Sequence, residues 1–290
     1  MRIITAAAAG MCFGVRDALV TLASIDQPDS VAIFGELVHN EIILQQLDAR
    51  GFQQLSETQR AEVPAASQIV ITAHGISQQR RQQLVAAGKL LIDTTCPLVT
   101  RVHRAAQDLA ASGAFIIVIG RQDHVEVDGI VGDLESFAVV PSPTAVETYP
   151  ASRIGIVCQT TFPCDEVAAI RRQIEICNPT AQMQWVDTIC QPTKDRQQAL
   201  SELLDQVQAM VVVGGSRSHN THRLVEACQR KGLPTIHVQD ATELQSRWFE
   251  GFETVGLTAG TSTLPETLQQ VHDRLVSIAA ELDFPHRPRA

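Results

Sequence analysis

Three cysteine-containing stretches recur along the chain at similar intervals. Asp93-Thr94-Thr95-Cys96-Pro97 has a counterpart in Asp187-Thr188-Ile189-Cys190-Gln191-Pro192 and a looser one in Ala9-Gly10-Met11-Cys12, so the cysteines stand 84 and then 94 residues apart. Each cysteine follows an apolar or β-branched run typical of a strand and precedes a segment with helical periodicity. We therefore predict a three-fold internal repeat, and we expect the three thiolates to meet at one centre.

The segments between the cysteines follow the same order of strands and helices in each third. One strand of each third breaks at a glycine into a polar loop, and a later strand opens into a second loop rich in small polar residues. The first set of loops surrounds His39, His124 and Asn220, and the second surrounds His74, Thr160 and Ser262. Alternating strands and helices predict parallel sheets with right-handed crossovers. The predicted fold is α/β, with three small parallel-sheet lobes in a pseudo-three-fold trefoil around a central cavity.

The repeat also predicts the division of the 290 residues. Lobe 1 is expected over 13–95, lobe 2 over 96–189, and lobe 3 over 190–282 together with 1–12. Residues 283–290, which contain proline and arginine, are expected to form a loose tail. A chain of this length suits two or three small lobes around a shared centre better than one large core.

Composition excludes several classes of function. A net charge of -9 with 4% aromatic residues argues against a surface for nucleic acid or anionic membranes. No apolar run reaches the roughly 18 residues of a membrane span, and Arg2–Ala7 is interpreted as a buried strand instead of a signal peptide. Seven cysteines without an export signal favour reduced thiols and a cytoplasmic location.

The three repeated cysteines suit an iron-sulfur cluster better than structural zinc, whose ligands usually come as close pairs. A cubane cluster held by only three thiolates keeps one iron open to substrate. The alternative is that these cysteines are small buried hydrophobes. The other four cysteines are interpreted as such buried residues: Cys158, Cys164, Cys177 and Cys228. Cys158 and Cys164 are nevertheless close enough in sequence to form a rival pair of ligands.

Polar residues in the predicted loops form a set of donors suited to a phosphate or diphosphate. The set consists of His39, His74, His124, Ser218, His219, Asn220 and Ser262. Gly214-Gly215 resembles a phosphate-cradling loop, but without a Walker or dinucleotide fingerprint it supports neither ATP nor NAD binding. The remaining histidines are interpreted as ordinary solvated side chains: His103, His222, His237, His272 and His286.

Glu126 is the best candidate for an acid. It stands two residues after His124 in a predicted strand-end loop, and a carboxyl group in a closed, partly apolar cavity can have its pKa raised enough to deliver a proton. The alternative for Glu126 is a surface carboxylate. Thr160 has a hydroxyl group that could position a hydroxyl group or a water molecule.

Several motifs, taken in order, resemble the 4-hydroxy-3-methylbut-2-enyl diphosphate reductases, the last enzymes of the non-mevalonate isoprenoid pathway. The resemblance covers essentially the whole chain. The motifs are Cys12-Phe13-Gly14-Val15, Leu37-Val38-His39-Asn40, Ala73-His74-Gly75-Ile76-Ser77, Thr95-Cys96-Pro97-Leu98-Val99-Thr100, Gln159-Thr160-Thr161, 187–190, 218–220 and 258–262. The resemblance implies an oxidoreductase that carries out a reductive dehydration with two electrons and two protons, giving isopentenyl and dimethylallyl diphosphates.

The resemblance also implies roles for matching residues. Cys12, Cys96 and Cys190 would hold a [4Fe-4S] cluster, whose fourth iron would bind the substrate hydroxyl. His124 would lie beside the substrate, Glu126 would supply a proton, and Thr160 would orient the leaving hydroxyl. The diphosphate would be held by His39, His74, Ser218, Asn220 and Ser262. Ferredoxin or flavodoxin would donate electrons, and a monomer is expected.

Several positions depart from the pattern of these reductases. Val125 replaces a usual proline, His219 replaces a small residue, Arg16-Asp17 replaces a usual x-Arg pair, and Gln191-Pro192 with Asp195 changes the segment after the third cysteine. The alternatives are therefore a paralogue that reduces another allylic diphosphate and a non-catalytic iron-sulfur or diphosphate sensor. A cysteine-dependent phosphatase is disfavoured, because no thiolate stands beside a phosphate loop with an arginine.

Overall fold

The computed structural model describes residues 1–283, so the predicted tail lies, from residue 284 on, outside the described residues. The strands are β1 (Arg2–Thr5), β2 (Val31–Phe34), β3 (Gln53–Gln54), β4 (Gln68–Ile71), β5 (Leu90–Asp93), β6 (Phe115–Ile119), β7 (Phe137–Val140), β8 (Arg153–Cys158), β9 (Gln182–Trp185), β10 (Ala209–Val213), β11 (Thr235–Val238) and β12 (Thr254–Ala259). The helices are α1 (Phe13–Ala23), α2 (Glu41–Ala49), α3 (Gln78–Ala86), α4 (Pro97–Ala111), α5 (Val125–Val131), α6 (Cys164–Cys177), α7 (Gln191–Leu204), α8 (His219–Arg230) and α9 (Pro265–Asp283).

The strands form three four-stranded sheets with one topology. Their orders are β3-β2-β4-β5, β7-β6-β8-β9 and β11-β10-β12-β1. Every pairing is parallel, and β1 occupies in the third sheet the place that β5 and β9 occupy in the other two. The predicted fold class, three parallel-sheet α/β lobes, is confirmed.

The chain divides into two compact units. The first unit comprises Met1–Arg16, Val38–Gln46 and the described residues from Asp195 onwards, and it contains the sheet β11-β10-β12-β1. The second unit comprises Asp17–Leu37 and Leu47–Lys194, and it contains the other two sheets. The predicted lobe boundaries 13–95, 96–189 and 190–282 with 1–12 stay a prediction.

The central strands are buried because helices cover the faces of parallel sheets. In the first unit, Val211 and Leu257 are fully buried and belong to one cluster with Val271 and Leu275 of α9. In the second unit, β6 and β8 form a corresponding cluster with α6, built from Ile117, Ile156, Ile170 and Ile174. Within residues 1–283, no helix has the length and apolar character needed to cross a membrane.

Two predicted loops end earlier than the sequence analysis expected. Glu126 lies in the first turn of α5, and His219 and Asn220 lie in the first turn of α8. The reason is helix capping: the His124 ring accepts a hydrogen bond from the Glu126 N–H, and the Ser218 hydroxyl accepts one from the Thr221 N–H. Each of these polar residues is therefore fixed by a helix start instead of a flexible loop.

Candidate active site

The three predicted cysteines have equivalent backbone anchors. Each follows the outer strand of its sheet, and each donates its N–H to a carbonyl oxygen two residues beyond the end of the neighbouring strand. The bonds run from Cys12 to Thr261 (3.0 Å), from Cys96 to Ala73 (3.1 Å) and from Cys190 to Thr160 (2.9 Å). The cysteines thus occupy the same place in three sheets, at the carboxyl edge where open α/β folds bind ligands.

Each cysteine also stands immediately before a helix. Its carbonyl oxygen accepts a hydrogen bond from the first turn: Arg16 N–H to Cys12, Thr100 N–H to Cys96, and Lys194 N–H to Cys190. At a helix start, unpaired N–H groups and the helix dipole favour bound negative charge, as an anionic cluster would bring. The Cys190 sulfur lies 3.0 Å from the Thr193 hydroxyl, which can donate to it.

The residues before two of the cysteines explain the repeated Asp-Thr pattern. Asp93 accepts the Thr95 N–H at 3.0 Å, and Thr94 donates its hydroxyl to the Ile71 carbonyl at 2.6 Å. At the equivalent place, Asp187 accepts the Ile189 N–H at 3.2 Å, and Thr188 donates to the Cys158 carbonyl at 2.7 Å. The aspartate tightens the turn and the threonine ties it to the neighbouring strand, so both cysteines leave the sheet in the same way.

The donor set fits a cluster. Cys12, Cys96 and Cys190 are partly exposed thiols, whereas Cys158 and Cys228 are fully buried. Burial raises the pKa of Cys158 to about 12 and that of Cys228 to about 11, which disfavours their thiolates. Within residues 1–283, no group of three His, Cys, Asp or Glu side chains is arranged to hold a single metal ion. A cluster does not need such a group, because its thiolates ligate different iron atoms.

In the second unit, Glu126 and Thr160 form a buried pair. Glu126 is 1% exposed, and its carboxyl group accepts the Thr160 N–H at 2.6 Å and the Thr160 hydroxyl at 2.9 Å. Burial raises the pKa of Glu126 to about 7, although both hydrogen bonds from Thr160 act to lower it. Because the Thr160 carbonyl also accepts the Cys190 N–H, one residue connects the candidate acid to a candidate cluster ligand.

Two predicted histidines of the second unit lie next to each other. The rings of His74 and His124 meet edge to face, with centroids 5.8 Å apart. The Nδ1 atom of His124 accepts the Glu126 N–H at 3.2 Å, so in the neutral ring the proton lies on Nε2. His124 therefore offers a donor while its other nitrogen holds the start of α5.

In the first unit, His39 lies beside the α8 start. Its ring meets that of His219 edge to face, with centroids 5.9 Å apart. The next residue, Asn40, is buried, caps α2 by accepting the Ile42 N–H at 3.0 Å, and donates to the Ser262 carbonyl at 2.8 Å. Asn40 thereby fixes the His39 segment against the Ser262 loop.

Asn220 supplies an unsatisfied donor in the same unit. Among the described residues, its buried Nδ2 atom has no hydrogen-bond partner, and it lies 3.5 Å from where a Cβ on Gly260 would stand. A side chain at Gly214 or Gly260 would come within 2.3 Å of the Thr221 hydroxyl, so both glycines are needed for close packing. A buried donor without a partner is costly, which favours a ligand at Asn220.

Sequence reasoning assigned no role to two residues that support these sites. Asn40 was part of a recognised motif, but only its contact with Ser262, 222 positions away, shows what it does. Arg196 is 9% exposed and donates to the Gly10 carbonyl at 2.8 Å, close to Cys12. An arginine in α7 carried no sequence signal for that contact.

The chain matches known proteins over most of its length. The model of the family described as LytB protein matches residues 3–276. The 4-hydroxy-3-methylbut-2-enyl diphosphate reductase of Burkholderia pseudomallei is 34% identical over 277 residues, which cover 93% of this chain and 88% of that protein. The reductase of a Polaromonas species is 34% identical over 284 residues, covering 96% of this chain and 85% of that protein.

Solved structures agree with these matches. The E-1-hydroxy-2-methyl-but-2-enyl-4-diphosphate reductase of Plasmodium falciparum superposes with a TM-score of 0.85 at 27% identity, covering 94% of this chain and 87% of that one. A second structure, of an (E)-4-hydroxy-3-methyl-but-2-enyl diphosphate reductase, has a TM-score of 0.67 at 31% identity, covering 96% of this chain and 100% of that one. The chain therefore belongs to the LytB family of 4-hydroxy-3-methylbut-2-enyl diphosphate reductases.

Proposed function

We propose that this oxidoreductase of the non-mevalonate pathway converts (E)-4-hydroxy-3-methylbut-2-enyl diphosphate into isopentenyl and dimethylallyl diphosphates. The reaction breaks the allylic C–O bond and forms one C–H bond. Two electrons and two protons are consumed, and the hydroxyl group leaves as water. The observation that carries the proposal is the buried Glu126–Thr160 pair, joined through Thr160 to Cys190.

Cys12, Cys96 and Cys190 would hold the [4Fe-4S] cluster. Their equivalent positions at helix starts support this assignment. When bound, the cluster would supply the electrons and an open iron for the substrate hydroxyl. Ferredoxin or flavodoxin is the proposed electron donor, and the enzyme is proposed to act as a cytoplasmic monomer.

Neutral and cationic donors would bind the diphosphate. The buried Nδ2 atom of Asn220, which has no hydrogen-bond partner within residues 1–283, supports an anion at the start of α8, where N–H groups and the helix dipole also favour negative charge. The proposed ligands in the first unit are His39, Ser218, His219, Asn220 and Ser262, and His74 is the proposed ligand in the second unit. His124 would contact the substrate through its Nε2 donor.

Glu126 would deliver a proton to the reacting end of the substrate. With a pKa of about 7, a substantial fraction of this carboxyl group is protonated at neutral pH, whereas an ordinary glutamate would be almost fully ionised. Thr160 holds both carboxyl oxygens, and its hydroxyl group would orient the leaving hydroxyl of the substrate. The two hydrogen bonds from Thr160 would thus orient the Glu126 carboxyl group and also influence its pKa.

Glu126→Gln tests the proposal. The substitution keeps the size of the side chain but removes the proton, so we expect turnover of the cluster-loaded enzyme to fall by about 100-fold or more, with cluster content and diphosphate binding retained. Asp128→Asn is the matched control, because Asp128 lies in the same helix and also has a pKa raised by burial. Unchanged turnover in Glu126→Gln would remove Glu126 from the mechanism. A wild-type protein that binds cluster and diphosphate without turnover would support a sensor instead.

A further inference from the structure

Two histidines hold the loop that precedes α8 in the first unit. This loop, Gly214–Ser218, follows β10. The Nε2 atom of His237 lies 2.9 Å from the Gly214 carbonyl oxygen, and that of His222 lies 2.6 Å from the Ser216 carbonyl oxygen. Because a carbonyl oxygen only accepts, Nε2 carries the proton in both rings. The rings meet edge to face, with centroids 5.7 Å apart.

The two imidazoles complete the hydrogen bonding of the loop backbone. The carbonyl oxygen between theirs, that of Gly215, accepts the Ser218 N–H at 3.1 Å. Three consecutive carbonyl oxygens are therefore fixed in direction. Since each peptide unit is planar, fixing the carbonyl groups fixes the peptide planes and hence the place of Ser218. Without the imidazoles, a loop that begins with two glycines would have wide conformational freedom.

The other side of the loop is fastened to the start of α2. The Ser216 hydroxyl donates to Glu41 at 2.7 Å, and Arg217 Nε lies 3.4 Å from the same oxygen. Burial opposes ionisation of Glu41, but these contacts hold its pKa below the usual value. A Cβ at Gly215 would stand 2.6 Å from the His39 carbonyl oxygen, so the loop lies directly against the His39 segment.

We propose that His222 and His237 are positioning residues for diphosphate binding, acting through the Gly214–Ser218 loop on Ser218 and Asn220. The inference rests on the proposed function, since it assigns these histidines to the same anion site. Neither imidazole needs to touch the ligand. Each acts through one N–H donor, so a side chain with an amide N–H in the same place should replace it in part. The proposal gives both histidines a role beyond that of ordinary solvated side chains.

The test measures binding of inorganic diphosphate to the cluster-loaded enzyme by titration calorimetry, together with KM and kcat. We expect His222→Leu and His237→Leu each to weaken diphosphate binding by about 3- to 10-fold, since each removes one hydrogen bond. KM should rise by a similar factor while kcat changes little. His222→Gln and His237→Gln should recover part of the affinity. His272→Leu, at a partly exposed position of α9 in the same unit, is the control.

The outcomes separate the two levels of the proposal. Tight diphosphate binding in the wild type that weakens in Ser218→Ala but not in either leucine variant would overturn the positioning role alone. No diphosphate binding in the wild type would overturn the proposed function, and the positioning role with it. If a leucine variant unfolds, seen as a loss of the thermal transition, the glutamine variants decide. Equal loss of affinity in leucine and glutamine variants would contradict a role as N–H donor.

Discussion

Glu126 is an acid whose surroundings oppose its ionisation. Burial raises its pKa from 4.5 to about 7, against two hydrogen bonds from Thr160. The folded state therefore binds the proton more tightly than the unfolded state between about pH 4.5 and pH 7. By linkage, the stabilising contribution of this residue is fully present below pH 4.5 and is lost as pH rises through 7. Glu126 therefore contributes less to stability at neutral pH than at acidic pH, which is the cost of holding the proposed acid partly protonated.

Thr160→Val is expected to raise the pKa of Glu126 further. The Thr160 hydroxyl bond favours the carboxylate, and valine removes it while keeping the backbone N–H bond. The alkaline limb of the pH dependence of kcat/KM should therefore move to higher pH, even as activity falls. Thr161→Val, which removes the neighbouring hydroxyl, should leave the limb in place. If the alkaline limb of kcat/KM in Thr160→Val stays in place or moves to lower pH, the ionisation of Glu126 does not determine that limb.

Glu126 and Thr160 were singled out from the sequence as candidate site residues, but their hydrogen bonds to each other could not be predicted. Glu126 and Thr160 belong to loops of the same predicted lobe, yet they are 34 positions apart, and only the pairing of β6 with β8 brings them together. His237 was harder still. It lies within a short apolar run, Thr235–Val238, which the sequence analysis did not predict as a strand. Without that strand, nothing places its ring against the Gly214 carbonyl.

Burial explains only part of what could be predicted for single strands. The strand predicted as buried over Arg2–Ala7 is present as β1, but it spans Arg2–Thr5 and is partly exposed at the edge of its sheet. The apolar runs Val31–Phe34 and Phe115–Ile119 predict strands, and the inner strands β2 and β6 have those bounds, because each run is buried on both faces. The edge strands β3, β7 and β11, which are short and partly exposed, were not predicted. The predicted polar loops follow the inner strands, so the candidate site residues could be chosen without predicting every edge strand.

The position of α5, the helix that carries the candidate acid Glu126, depends on a glycine at position 120. Gly120 ends β6 where α5 and the Gln159 segment pass closely. A Cβ there would stand 2.8 Å from the Val127 side chain and 3.1 Å from the Gln159 Cβ. Gly120→Ala is therefore expected to lower stability by about 1 to 3 kcal/mol and to shift α5, which carries Glu126. Both the temperature of thermal unfolding and kcat should fall.

Gly155→Ala is the matched control for that prediction. A Cβ at Gly155 would stand 2.9 Å from the Leu109 Cβ, so a similar loss of stability is expected. Gly155 lies in β8 of the same sheet but packs on α4, away from Glu126. kcat should therefore stay near the wild-type value when both are measured well below the unfolding temperature. Equal loss of kcat in the two variants would mean that stability alone explains the effect.

The whole chain carries 32 acidic and 23 basic residues, which is an unusual background for binding a diphosphate. Long-range attraction cannot be the main source of affinity, because the net charge has the sign of the ligand. The donors of the proposed anion site are accordingly local and mostly neutral: hydroxyl groups, an amide, imidazoles and the start of α8. A site of this kind needs no cluster of lysines, so the sequence contains no such cluster that would indicate it.

The three-fold repeat predicts the iron content of the whole molecule. Anaerobically purified protein should contain about four irons per chain, held by one cysteine from each repeat. Cys12→Ser, Cys96→Ser and Cys190→Ser should each lose most of the iron, since a hydroxyl is a poorer ligand than a thiolate at neutral pH. Cys228→Ala should retain it, because Cys228 is fully buried with its pKa raised to about 11. Iron retained in all three serine variants, or lost in Cys228→Ala, would mean that other thiols bind the cluster.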